Sequence, residues 1–179
     1  YSQQDKIQIY LARIYNKRGD YKKALSTLDK IVSGELFVDA KLLATEIIAQ
    51  NESTDKAIES LSIYKNIGPS DKLRFLQAKT SLLINNGRQQ DAFDLMRSED
   101  KNYADSAAFK FDYAMLAEKM DNLLLMEQLL KEAIKIKPDF ALAYNALGYS
   151  YADRNIKLAD AKKYIEIALS IQPKNHYIL

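Results

Sequence analysis

The chain contains no cysteine, which excludes thiol nucleophiles, disulfides and thiolate metal sites together while leaving the compartment open. It has one histidine, His176, with no nucleophile nearby, and no His-Glu-x-x-His pair, glycine-rich phosphate loop or acidic calcium loop. No catalytic, cofactor or metal site is therefore expected, and the chain is read as non-enzymatic. His176 is taken as a solvated side chain and Glu99-Asp100 as a solvated turn. Glycine (5) and proline (3) are scarce in 179 residues, a composition that favours helix over strand or long loop. An excess of charge of one sign is also missing: 26 Lys and Arg face 24 Asp and Glu, interleaved along the chain, so no long-range field draws in polyanions. The twelve tyrosines invite a base-stacking reading, yet Asp39, Glu46, Glu118 and Asp153 interrupt any basic track beside them. Nucleic acid is not an expected partner. No run reaches the roughly 18 apolar residues of a bilayer span, so this stretch is not expected to insert into a membrane.

What is present is a period. Ala24, Ala57, Ala92, Met126 and Ala161 follow one another at steps of 33, 35, 34 and 35 residues, each opening the packed face of a second helix. Such a period marks stacked helical hairpins that cover one another's apolar sides. Five repeats fill one domain, 1–179, at about 5–33, 36–69, 70–100, 105–138 and 139–173, with 174–179 starting a further helix. Ile7, Leu11, Ile14 and Tyr15 form the apolar stripe of the first helix, and Ala24, Leu25, Leu28 and Ile31 that of the second.

The turns have their own chemistry. Gly19 suits a left-handed helix end, Asp20 is expected to cap the next helix, and Ser53 or Thr54 to cap another. Pro69 is read as closing repeat two. The polar run 97–101 predicts a short second helix in repeat three followed by an irregularity. Asn122 is expected to take the left-handed conformation in a turn without glycine, and 153–157 holds one extra turn residue. Gly148 and Ala161 are small where Tyr144, Leu147 and Tyr151 are large, which predicts a close helix crossing at Gly148.

Tyr144, Leu147, Gly148, Tyr151, Ala161, Ile165, Ala168 and Pro173 together resemble the tetratricopeptide repeat, with Tyr in place of the usual Trp. Leu11, Ala12, Tyr15, Gly19, Asp20, Tyr21, Ala24 and Leu28 match it well; Ala57, Leu61, Tyr64 and Pro69 carry repeat two. Repeats three and four depart from it at Lys79 and Met126. The resemblance implies an all-α fold, a right-handed α-solenoid of about five hairpins, acting as a scaffold or adaptor for protein partners. More narrowly, 111–119, 126–130 and 146–154 resemble proteobacterial multi-repeat proteins, often outer-membrane lipoproteins facing the periplasm. Some of these are adaptors holding a carboxyl-terminal processing protease and its cell-wall hydrolase substrates. That implies a periplasmic, outer-membrane-anchored whole protein; a cytoplasmic location is the alternative. A second function, an assembly module forming homo-oligomers or attaching to a secretion or pilus complex, stays open.

Helical offsets place the binding face. If Tyr144, Leu147, Gly148 and Tyr151 face the partner helix, then Leu142, Asn145, Tyr149, Ala152 and Asp153 lie opposite. The same offsets select Ile9 and Arg13, Leu42, and Phe111 and Met115. The partner-binding candidates are thus Phe111, Met115, Asn145, Tyr149, Ile9, Arg13 and Leu42, with Phe111, Met115 and Tyr149 as an apolar anchor. The competing role for Phe111 and Tyr149 is bracing adjacent first helices. Ile9 and Leu43 stand where a carboxylate clamp needs polar residues, which argues against a chaperone-tail clamp. Beginning at Tyr1 and ending on Tyr177-Ile178-Leu179, the chain is expected to be a piece of a longer protein whose apolar C-terminal edge self-associates.

Overall fold

The structure, a computed structural model, describes residues 3–173. His176, the further helix at 174–179 and the edge at Tyr177-Ile178-Leu179 lie outside the described residues. Ten α-helices and one 3-10 turn make up the ordered elements, with no strand among the described residues. The expected all-α fold is the observed one. The chain divides into two compact units, Tyr1–Arg88 and Gln89–Leu179.

The first unit holds α1 (Gln3–Lys17), α2 (Tyr21–Leu28), α3 (Phe37–Asn51), α4 (Thr54–Ser62) and α5 (Pro69–Asn85). α1 pairs with α2 and α3 with α4, while α3 packs on α2 and α5. Its core runs through those contacts: Ala12, Ala24, Leu28 and Ile31 of the first hairpin close on Ala40, Leu43 and Ile47 of α3. A second cluster joins Val38, Leu61 and Phe75. Burying each Leu or Ile contributes about 1.5–3 kcal/mol, and the first cluster carries that burial across the boundary between the first hairpin and α3. Ile7 and Ile14, expected in the packed stripe, are instead 51% and 46% exposed. α2 packs on the side of α1 that carries the fully buried Ala12, because a small residue lets the helix axes approach, and this turns Ile7 and Ile14 outward.

The second unit holds α6 (Gln89–Glu99), a 3-10 turn (Asp100–Tyr103), α7 (Ala107–Lys119), α8 (Leu123–Ile136), α9 (Ala141–Asp153) and α10 (Leu158–Ile171). The α7–α8 and α9–α10 hairpins are closely packed, and α8 also packs on α9. Phe109, Met126, Leu130 and Leu147 are buried at or near 0% exposure. Met126 therefore fills the second-helix position that Ala holds in the other repeats.

Several local expectations need correction. Asp20 is the N-cap residue of α2, but its side chain makes no capping hydrogen bond. Ser53 does cap, accepting from the Lys56 amide at 3.2 Å. Pro69 opens α5 rather than closing repeat two, since the first helical position needs no amide donor and suits proline's fixed φ. α6 is not short: its 11 residues exceed the eight of α2, and the polar run stays helical through Glu99 before tightening into the 3-10 turn. Polar residues interrupt a helix only where burial is demanded, and Arg97 and Ser98 are exposed. The left-handed residue of the fourth turn is Asp121 (φ 56°), while Asn122 caps α8 by accepting from the Leu125 amide at 3.3 Å. In the longer fifth turn Asn155 (φ 54°) and Lys157 (φ 44°) are both left-handed.

Lys157 is also an electrostatic link from α10 back to α8. The Glu127 carboxylate accepts from Lys131 at 2.6 Å and from Lys157 at 3.0 Å, and Lys157 lies over the Tyr151 ring at 4.7 Å. The Lys131 hydrogen bond is the largest influence holding the Glu127 pKa down to about 2; burial opposes it, and Tyr151 and Lys157 reinforce it. A depressed carboxylate stabilises the fold above its unfolded pKa and ceases to do so as pH falls through the folded one. With Lys131 half exposed, solvent screening limits the contribution to about 1–2 kcal/mol. Glu127→Gln is expected to remove the part of the stability loss that occurs between about pH 4.5 and pH 2, which melting curves at pH 7 and pH 3 check.

Candidate functional site

In the first unit the helical offsets bring the first helices side by side. Lys6, Ile9, Tyr10 and Arg13 of α1 face Asp39, Leu42 and Glu46 of α3 across a groove of about 710 Å³. A second cleft of about 370 Å³ lies between α3 and α5, where Leu42, Thr45 and Glu46 meet Arg74, Gln77, Ser81 and Asn85. Leu42 and Glu46 line both, so the two clefts share a wall and cross three first helices.

Hydrogen bonds between equivalent positions of adjacent repeats hold this face in register. Asn16 Nδ2 donates to Gln50 Oε1 at 3.3 Å, and Asn51 Nδ2 donates to Asn16 Oδ1 at 3.3 Å. Arg74 pairs with Asp39 across α5 and α3. Those pairs consume polar groups along the rim. Arg13 and Glu46 are exposed in the groove with no partner among the described residues, leaving a cationic and an anionic handle on either side of half-buried Ile9 and Leu42. The lining can accept an apolar side chain flanked by charges of both signs.

Three of the seven candidate residues, Ile9, Arg13 and Leu42, are thus brought into one groove. Tyr10, 69% exposed and lining the same groove, falls outside the helical offsets used to pick the face. Its signal in the sequence was an aromatic residue beside Ile9 that no hairpin position required. The other four candidates belong to the second unit, Phe111 and Met115 on α7, Asn145 and Tyr149 on α9. Phe111 places its ring 5.4 Å from that of Phe140, which immediately precedes α9, so part of its surface braces the repeat boundary. Tyr149 is 57% exposed, whereas Met115 and Asn145 are half-buried. On the same side, Glu118 of α7 pairs with Arg154 at 3.6 Å, and Arg154 donates to Ser150 Oγ at 2.6 Å.

Among the described residues no group of three or more His, Cys, Asp or Glu is placed to hold a metal ion. Among them, too, no helix is long and apolar enough to cross a membrane.

Antiparallel helix pairs at a 33 to 35 residue period, with small residues at most of the crossings, have the fold of the tetratricopeptide repeat. Known proteins share this fold. The chain is 29% identical over 175 residues to TPR repeat-containing protein PA4667 of Pseudomonas aeruginosa, covering 98% of this chain. It spans 30% of the length of that relative. Crystal structures of MamA are similar in fold, one at TM-score 0.62 and 20% identity over 91% of this chain and 95% of that one. MamA from Desulfovibrio magneticus RS-1 gives TM-score 0.62 at 11% identity, covering 98% of both chains. YrrB, described as a TPR protein with an unusual peptide-binding site, gives 0.59 at 16% identity over 94% of this chain and 86% of that one. No family model matches the chain.

Proposed function

We propose that this chain is a non-enzymatic scaffold that binds a protein partner on the first-helix face, with the α1–α3–α5 groove as the principal site. The observation that carries this is the shared wall at Leu42 and Glu46, which joins two clefts into a track long enough for several residues of an extended or helical segment. The unusual peptide-binding site of YrrB supports the same reading by analogy of fold. The face of α7 and α9 around Phe111, Met115, Asn145 and Tyr149 is a second contact area, where Tyr149 is the exposed aromatic. The partner implied by the family resemblance is a periplasmic carboxyl-terminal processing protease or its cell-wall hydrolase substrate, within an outer-membrane-anchored whole protein. The 29% identity to a longer repeat protein of Pseudomonas aeruginosa supports a place in that multi-repeat class.

The test uses residues whose loss does not touch the core. Tyr10→Ala combined with Arg13→Glu is expected to weaken binding of a carboxyl-terminal processing protease at least tenfold, with the helical circular dichroism spectrum unchanged. Unchanged affinity in the folded double variant would move the site to α7 and α9, where Phe111→Ala with Tyr149→Ala is the matching experiment. The assembly reading draws on the exposed stripe of Ile7, Tyr10 and Ile14 along α1. Light scattering over a range of concentrations separates the two: a monomer at high concentration rules out self-assembly.

A further inference from the structure

A separate feature lies on the other side of α3. One turn of this helix directs Leu42 and Glu46 to the groove, whereas Lys41, Ala44 and Ile48 point away from it, toward α2 and α4. There they line a pocket of about 200 Å³. That is smaller than the roughly 300–1,000 Å³ of sites built for whole small molecules and suits one amino-acid side chain.

Lys41 sets its chemistry. The side chain is 7% exposed, yet its ammonium donates no hydrogen bond among the described residues. Its nearest counter-charge is Asp29 at 3.6 Å, well beyond the roughly 2.7–2.9 Å of a charge-assisted hydrogen bond. Asp29 is itself 74% exposed, so most of its charge is satisfied by water. The rest of the surroundings are aromatic: the ammonium lies 5.5 Å from the Phe37 ring centroid and 5.9 Å from that of Tyr64. Cation–π attraction offsets part of the cost of burying the charge without spending its three donors. Ser60, on the opposite wall, gives its hydroxyl hydrogen to the Ala57 carbonyl at 2.7 Å. Lys41 therefore pairs with Asp29 only at long range and commits none of its three donors to a protein acceptor. Water still reaches the ammonium, and a bound carboxylate would replace that water and the long Asp29 pair with a charge-assisted hydrogen bond.

From this arrangement we infer that the Lys41 pocket binds a carboxylate carried on an aliphatic stem, as a glutamate side chain or the C-terminal residue of a partner protein. The carboxylate takes the donors of Lys41, and the stem lies along Ile48 and Ile63, the latter 67% exposed at the mouth. Asp29 then acts as a gate by charge: it repels the incoming carboxylate and swings toward water when the site fills. This site goes beyond the first-helix groove and does not depend on it. Nothing in the sequence singled it out, because an Asp or Lys on a helix of mixed charge reads as solvated surface.

Amide chemical-shift mapping on the full 179-residue chain tests it with acetyl-Ala-Ala-Leu bearing a free carboxylate, acetyl-Ala-Glu-Ala-amide, and their uncharged counterparts, acetyl-Ala-Ala-Leu-amide and acetyl-Ala-Gln-Ala-amide. Saturable shifts at Lys41, Ala44, Ile48 and Tyr64 are expected for at least one carboxylate peptide and at least tenfold weaker for its uncharged counterpart; which carboxylate binds tells a C-terminus from a side chain. Lys41→Met keeps most of the apolar stem and is expected to abolish the shifts, whereas Asp29→Asn is expected to tighten binding severalfold. The Asp29 variant changes an exposed residue and so remains informative if Lys41→Met fails to fold. Equal shifts from charged and uncharged peptides, no shifts from any of them, or weaker binding to Asp29→Asn would each overturn the proposal.

Discussion

Gly148→Leu is expected to destabilise the second unit by about 3 kcal/mol or more, although leucine is the better helix former by close to 1 kcal/mol. A β-carbon at residue 148 would stand 2.6 Å from Ile165 Cγ1, 2.9 Å from the Ala161 carbonyl oxygen and 3.2 Å from the Ile165 amide nitrogen. Two of those atoms are backbone of α10, so they cannot rotate aside. The third belongs to a β-branched side chain with a stiff χ1 on a helix. Relief requires α9 and α10 to separate, which would loosen Leu147, Tyr151, Ala161 and Ala168, all now within 2% of full burial. Gly148→Ala isolates the first atom of that clash. It too is expected to lower stability, by about 1–2 kcal/mol, because the steric loss exceeds the propensity gain. Urea midpoints at unchanged slope measure both variants. An alanine variant more stable than the parent would mean that the helices yield at this crossing.

The crossing was legible in the sequence because it rests on size: a glycine amid Tyr144, Leu147 and Tyr151 on one helix, with Ala161 on the next, is the pattern that lets two backbones approach closely while large side chains fill the space around them. The period of the helix pairs was legible for the same reason. Details that depend on one hydrogen bond were not. Asp20 has the right chemistry to cap α2 and does not, while Asn122 caps α8 and leaves the left-handed conformation to Asp121. Both residues can do either task, so composition does not choose between them. Side-chain direction around α1 was also underdetermined: Ile7, Ile9 and Ile14 are all isoleucine, yet Ile9 enters the groove while the others point outward. Of the candidate face, helical geometry found the groove residues Ile9, Arg13 and Leu42 but gave no weight to charge. The structure shows which charges are spent, Asp39 on Arg74 and Glu118 on Arg154, and which are not, Arg13 and Glu46. Pairing across repeats depends on side chains some 35 residues apart, and no local pattern records it.

Lys110 is the sharpest case of such hidden pairing, and replacing it with methionine is expected to cost about 2–3 kcal/mol at neutral pH. Its side chain is 6% exposed in α7, and its ammonium meets Asp100 at 2.7 Å and Glu132 at 2.8 Å. The Asp100 that reads as part of a solvated turn is thus a tether: with Tyr103 stacked on Phe109 at 5.0 Å, it fastens the 3-10 turn to α7, while Glu132 fastens α8. Methionine keeps the apolar stem but leaves two carboxylates facing each other without a cation. Those carboxylates are about a third exposed, which places the cost below that of a fully buried pair. The pH dependence separates charge from packing. Burial pushes the Glu132 pKa upward, but hydrogen bonds from Lys110 and Gln128 outweigh it, so the folded value is depressed. Burial likewise pulls the Lys110 pKa down, and its bonds to Asp100 and Glu132 outweigh that, so the folded value is raised. The carboxylate contribution is therefore present above the unfolded Glu value of about 4.3 and lost as pH falls through the folded one. The lysine contribution is present below about 10.4 and lost as pH rises through its folded value. The gap in stability between the parent and Lys110→Met is expected to be widest near pH 7 and to narrow toward pH 3, as the Glu132 carboxylate protonates. Adding Asp100→Asn and Glu132→Gln to Lys110→Met is expected to recover much of the loss, since no uncompensated charge then remains. A gap constant from pH 7 to pH 3, with no recovery in the triple variant, would assign the effect to packing of the lysine stem alone.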